Sequence, residues 1–245
     1  MLELRSLPQD CAQRRREAVC STCGARAFSV CASLKPDDLA VLNAIAEQAS
    51  LHAGETLVRE GDRADHLFNI TSGSVRVYKL MPDGRRQITG FLFAGDFVGL
   101  ATGQEYAFSA EAIEEATLCR FRSSEYRALI RERPALASAL LERATHELAA
   151  AQNQMLLLGR KTAQERIASF LLDLPRRDPS RPAAADHVRL PMTRAEMADY
   201  LGLTIETVSR GLTKLKTAGV IRLLSLGELR VEQPARLRAI AEGDV

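Results

Sequence analysis

The sequence predicts an α+β protein: an antiparallel β-roll, then one long helix, then a winged helix-turn-helix. Three observations carry that prediction. Residues 192–222 divide into two short amphipathic helices joined by a glycine, residues 51–121 are short apolar runs punctuated by glycines, and after Pro134 apolar residues recur at steps of four and three.

The first segment, residues 1–33, is a charged, loosely structured arm carrying Cys11, Cys20, Cys23 and Cys31. Residues 34–133 form the roll. Ser74-Val75-Arg76-Val77-Tyr78 alternates as a half-buried strand does, and Pro82-Asp83-Gly84 makes a turn into the next strand. A roll of this kind suits ligand sensing, which its fold alone does not establish. Residues 134–160 are the long helix, in which Leu136, Leu140, Ala144, Leu148, Ala151, Met155 and Leu158 follow one another as a coiled-coil-like seam, predicting a homodimer. Leu141, Leu156 and Leu157 offer a second apolar face, for packing on the chain's own roll. Gly159–Lys161 is a candidate hinge. Residues 161–245 form the last domain, with a loop from Pro175 to His187 that carries three prolines and three arginines.

Within that domain Thr193 stands as an N-cap, Glu196 completes a capping box, and the first helix runs to Leu201 before the turn at Gly202. Thr204 caps the second helix. Ile205, Val208, Leu212 and Leu215 are predicted to face the core, leaving Glu206, Ser209 and Arg210 outward near the N-terminus, the end that reaches base edges in a helix-turn-helix. Ile221–Leu224 and Leu229–Val231 flank Leu226-Gly227-Glu228 as a hairpin wing, and Pro234 starts a last helix. Two ordinary packed surface helices would show the same apolar stripe. The turn chemistry, the outward carboxylate, hydroxyl and guanidinium, and the wing favour double-stranded DNA as the partner.

Composition agrees with such a regulator. A chain of 245 residues with 46% hydrophobic residues has room for two cores, no apolar run approaches a membrane span, and the N-terminus is charged, so the protein is expected in the cytoplasm. The net charge is only +2, yet residues 189–222 hold six Arg or Lys against three acids. Enzyme chemistry finds little support. No Gly-rich phosphate loop precedes a helix, His52, His66, His146 and His187 show no metal spacing, and no Ser-His-Asp order presents itself. A scaffold or interaction protein built on the roll is the remaining alternative, recognised by DNA affinity that ignores sequence.

Cysteines supply a candidate input. Cys20, Cys23 and Cys31 form C-x2-C-x7-C, and Cys119 lies in a late roll strand. Four thiolates suit an iron–sulfur cluster and also a structural zinc. Taken singly, a cysteine such as Cys119 is more often a small buried hydrophobe, and Cys11 has no assigned role.

Taken together, the roll, the long helix and the winged domain resemble the Crp/Fnr family of bacterial transcription regulators over nearly the whole chain. GETLVREG at residues 54–61 is similar to the family's first roll hairpin, LFAGDFVG at 92–99 to its FxxGDxxG turn with Leu at the first position, and LTIETVSR at 203–210 to its recognition helix. Glu206 with Ser209 and Arg210 resembles the oxygen-responsive FNR branch, whereas the cyclic-AMP branch usually has a further arginine where Ile205 stands. The resemblance implies a 4Fe-4S cluster on Cys20, Cys23, Cys31 and Cys119, a response to low oxygen, two-fold TTGAT-like half-sites read by Thr204, Glu206, Ser209 and Arg210, and contact with RNA polymerase. The family's cyclic-AMP binders carry a glutamate in the glycine turn and an Arg-Ser pair soon after. Phe97-Val98 and Phe108-Ser109 stand at those places, so the anchor for a buried phosphodiester is missing and cyclic-nucleotide control is not expected.

Overall fold

The computed structural model describes residues 20, 23–99, 103–178 and 186–244; Cys11, most of the 1–33 arm and residues 179–185 of the predicted loop lie outside them. The chain divides into two compact units, one of residues up to Lys79 with Phe91–Leu148, the other of Leu80–Gly90 with the residues from Ala149.

The first unit is built on the expected roll. After helix α1 (Pro36–Ala44) come strands β1 (Glu47–Leu51), β2 (Thr56–Val58), β3 (His66–Ser72), β4 (Val75–Leu80), β5 (Arg86–Leu92), β6 (Phe97–Val98), β7 (Ser109–Ala112) and β8 (Ala116–Arg122). They make two four-stranded sheets, ordered β1-β8-β3-β6 and β2-β7-β4-β5. In β4 the alternation read from the sequence buries Val75 and Val77, which join Leu51, Ile70, Ala110 and Leu118 in the roll core. The register of β3 on β8 sets Asn69 opposite Cys119.

A second core lies outside the roll. Val30, Leu34, Leu39, Leu42, Leu67, Cys119, Phe121, Tyr126, Leu129 and Leu136 bring together the arm, α1, the roll, helix α2 (Ser123–Glu132) and the start of helix α3 (Pro134–Arg160). Here the expectation of a loose arm is corrected for its described part. Residues 26–33 form two 3-10 turns, Arg26–Phe28 and Val30–Ser33, and Ala25 and Val30 are buried. Apolar side chains spaced along a charged segment found a core to fill, which charge composition alone does not reveal.

The seam of α3 also differs from the reading. Leu136 and Ala139 are buried in that second core, whereas Leu141, Leu148 and Met155 are 69%, 59% and 69% exposed. Each step of four advances roughly 40° beyond a full turn, so the run Leu136, Leu140, Ala144, Leu148 walks about a third of the way around the helix. Leu141, Leu148 and Met155 are spaced by seven and stay nearly in line. Leu157, assigned to the second face, is buried, while Leu141 and Leu156 of that face are exposed.

The second unit holds helix α4 (Ala163–Arg177), strand β9 (His187–Arg189), helices α5 (Arg194–Leu201) and α6 (Ile205–Thr217), strands β10 (Ile221–Leu223) and β11 (Glu228–Val231), and helix α7 (Pro234–Glu242). The loop expected from Pro175 begins later, because Pro175 sits inside α4. Pro175 lies within three residues of the helix end, where it forfeits its own amide bond, and the helix still closes with the Asp178 amide donating to the Leu174 carbonyl at 3.1 Å. The wing is a three-stranded sheet, β10-β11-β9. Arg166 of α4 ties helix ends together: Nη2 donates to the Leu158 carbonyl and Nη1 to the Leu201 carbonyl, both at 2.9 Å, satisfying acceptors at the negative ends of α3 and α5.

Candidate functional site

The outward face of α6 is set by capping and close packing. Thr193 and Glu196 form the capping box that starts α5, and Gly202 ends it in the left-handed conformation at φ 61°. The Thr204 hydroxyl accepts the Thr207 amide at 3.2 Å and starts α6. Val208, Leu212 and Leu215 are buried as predicted. Ile205 is not, being 48% exposed. It is the first helical residue, and because helical side chains lean toward the N-terminus it overhangs the end of the helix. Gly211 lets α6 lie against α4, since a Cβ there would stand 2.3 Å from the Ile167 side chain.

Glu206, Ser209 and Arg210 are all exposed on this helix, with Thr204 before them. The Glu206 amide at the helix N-terminus holds its own carboxyl below the ordinary value, with the Thr204 hydroxyl and Arg210 acting in the same direction, so the carboxylate is an acceptor. The surface therefore presents an acceptor, a hydroxyl and a forked donor within two turns, chemistry suited to base edges in a major groove.

The first unit carries the other candidate site. Cys20, Cys23, Cys31 and Cys119 line one cavity, together with Arg26, Leu42, Ala46, Asn69 and Phe121. The 3-10 turns place Cys31 beside Ser29, whose hydroxyl accepts the Cys31 amide at 3.2 Å. The Cys20 thiol donates to Asn43 Oδ1 at 3.1 Å. Burial pushes the thiols up, Cys20 to about 11 and Cys119 to about 12, and neighbouring cysteines add to both. Burial raises Cys31 too, opposed by the Ser29 hydroxyl. Arg26 pulls Cys20 and Cys31 the other way. These raised values favour the thiol form of Cys20, Cys31 and Cys119, and a bound cation is what would make thiolates of them. Among the described residues no three His, Cys, Asp or Glu side chains converge closely enough to hold a single ion. The fit of a cluster therefore rests on the all-thiol donor set and on four sulfurs around one cavity.

Sequence reasoning missed the residues that seat the arm. Gly95, at φ 96°, meets the Phe28 carbonyl so closely that a Cβ would stand 2.5 Å from its oxygen. Asn69, in the orientation that satisfies its amide, donates to the Gly95 and Asp96 carbonyls at 3.2 and 3.3 Å. Buried Asp96 accepts the Phe93 amide at 2.9 Å and pairs with Arg143 of α3. Gly95-Asp96 was visible in LFAGDFVG, and Arg26 stands three residues after Cys23, which in a 3-10 turn places it over that residue. Nothing local in the sequence marks Asn69 or Arg143.

At the nucleotide positions Phe108 packs against the roll core and the Ser109 hydroxyl accepts the Glu60 amide at 3.1 Å.

A capped recognition helix with an exposed Glu-Ser-Arg face, followed by a wing and preceded in the chain by a roll, defines a DNA-binding transcription regulator rather than an enzyme. Comparison with known proteins places it further. The family model for the cyclic nucleotide-binding domain matches residues 48–133, and that for the Crp-like helix-turn-helix domain matches residues 165–240. The nitrogen fixation regulation protein FixK of Bradyrhizobium diazoefficiens is 42% identical over 222 residues, covering 91% of this chain and 93% of the relative. The transcriptional activator protein FnrL of Cereibacter sphaeroides is 40% identical over 229 residues, covering 92% of each. The solved structure of FixK2 from Bradyrhizobium japonicum superposes with a TM-score of 0.75 at 37% identity, over 80% of this chain and 97% of that one. The chain belongs to the Crp/Fnr family of transcription regulators. No described helix is long and apolar enough to cross a membrane.

Proposed function

We propose that this regulator is a cytoplasmic homodimer that binds two-fold TTGAT-like half-sites, engages RNA polymerase, and is controlled by oxygen through a 4Fe-4S cluster on Cys20, Cys23, Cys31 and Cys119. One observation carries the reading: cysteines from the arm and from β8, far apart in sequence, line a single cavity. When bound, such a cluster supplies an oxidant-sensitive centre whose integrity depends on all four thiolates. Similarity to FnrL, a transcriptional activator by name, supports the activator role.

The chain's own contacts offer a route from the cavity to the long helix. The arm seats its Phe28 carbonyl on Gly95, Asn69 lines the cavity and holds the Gly95-Asp96 turn, and Asp96 pairs with Arg143 on α3. An arm that seats well favours one setting of that turn, and a difference of a few kcal/mol between settings is enough to change occupancy strongly. The exposed line of Leu141, Leu148 and Met155 is the face on which a second copy would pair. Zinc is the rival occupant of the cysteine site.

Anaerobic purification with metal and sulfide assays tests this. Equal iron and inorganic sulfide, with visible absorption that bleaches in air, is the expected result, lost in each single Cys→Ser variant at Cys20, Cys23, Cys31 and Cys119 and retained in Cys11→Ser. Zinc without sulfide refutes the cluster, and full iron occupancy in Cys119→Ser refutes the ligand set.

A further inference from the structure

Tyr126 is an anomaly in the second core. It lies on α2 with no solvent exposure, its ring 5.1 Å from Phe121 and 6.0 Å from Phe97, and its hydroxyl has no hydrogen-bond partner among the described residues. A buried donor left in that state destabilises the fold, and phenylalanine would fill the same space without that penalty. The neighbourhood explains why a hydroxyl is there. Phe121, against which the phenol packs at a tilt, is a wall of the cysteine cavity, and Cys20, Cys31 and Cys119 belong to the same packed cluster as Tyr126.

We infer that the Tyr126 hydroxyl is a positioning donor for the loaded cysteine site, giving its hydrogen bond to the Cys31 sulfur once that sulfur is a bound thiolate. The inference rests on the four-thiolate reading above. A thiol is a weak acceptor; a metal-bound thiolate carries negative charge and accepts a charge-assisted bond. An ordinary phenol, with a pKa of about 10, is protonated at neutral pH and serves as a donor. A bound thiolate would supply the acceptor that this hydroxyl lacks among the described residues, which ties retention of the metal to the packing of α2. Hydrogen bonds to ligating sulfurs also raise the potential of an iron–sulfur centre.

The test is Tyr126→Phe in the full chain, measured empty and loaded. In metal-free protein, urea unfolding should show stability equal to or above wild type, because the substitution removes an orphaned hydroxyl. In loaded protein, iron release to a chelator should be about tenfold faster and the midpoint potential more negative. Lower stability of the metal-free variant would show that the hydroxyl already has a partner and overturn the inference. Unchanged release and potential in a fully loaded variant would overturn it as well. A wild-type protein that binds no metal under anaerobic reconstitution fails at the earlier step and refutes the four-thiolate reading itself.

Discussion

Replacing Gly95 by Ala should empty the cysteine site without touching a cysteine. Gly95 has φ 96°, and an added Cβ would stand 2.5 Å from the Phe28 carbonyl oxygen and 2.8 Å from its carbon. Both are backbone atoms, so no side-chain rotation relieves the contact. The turn Arg26–Phe28 must lift from the roll. Strain at a left-handed φ contributes about 1–2 kcal/mol. Lifting the turn re-exposes Ala25 and Val30, now 1% and 5% exposed, a further loss of about 2–3 kcal/mol. Gly84→Ala isolates the first component, since φ there is 85° and a Cβ would meet nothing within 4 Å. Urea unfolding should therefore show a loss of about 1–2 kcal/mol for Gly84→Ala against about 3–5 for Gly95→Ala. Anaerobic reconstitution should load the first variant fully and the second poorly. Equal losses and equal loading would refute the reasoning, because they would mean that the arm does not need its seat on Gly95.

Three further outcomes are expected. Arg210→Ala should cost about 1–3 kcal/mol on a TTGAT-like site and much less on random DNA in competition binding, whereas equal losses would make Arg210 a phosphate contact. The residues Leu148–Leu158 include no acid, so sedimentation should find the air-exposed protein still substantially dimeric while its DNA affinity falls, and Leu148→Asp should convert it to monomer by repulsion across the seam; clean conversion of wild type to monomer in air would show that dimerisation itself is the switch. Metal-free protein should lose stability in alkali: Cys119 is pushed from 9.0 to about 12, so its neutral form contributes stability that is fully present below pH 9 and lost as pH rises toward 12. Cys119→Ala should lack that part of the slope, and parallel pH–stability curves would refute it.

What the sequence determined by itself is what local chemistry decides. The Thr193–Glu196 capping box, the Gly202 turn, the outward Glu206, Ser209 and Arg210, and the alternation of β4 are each set within a few residues, where hydrogen bonding to the nearest amides and side-chain periodicity leave few alternatives. Departures begin where an element meets something distant. Ile205 has the right periodicity for the core, yet its place at the helix end leaves it 48% exposed. The steps along α3 contain two faces, and only the position of the second core shows that Leu136 belongs to one and Leu148 to the other. The arm is charged overall, and its docking depends on Gly95, Asn69 and Asp96, about forty-five to seventy residues away. Above all, Cys20, Cys23 and Cys31 stand apart from Cys119, with 87 residues between Cys31 and Cys119. Their meeting at one cavity is decided by the register of β3 on β8 and by the packing of the arm across it, long-range contacts that no local pattern encodes.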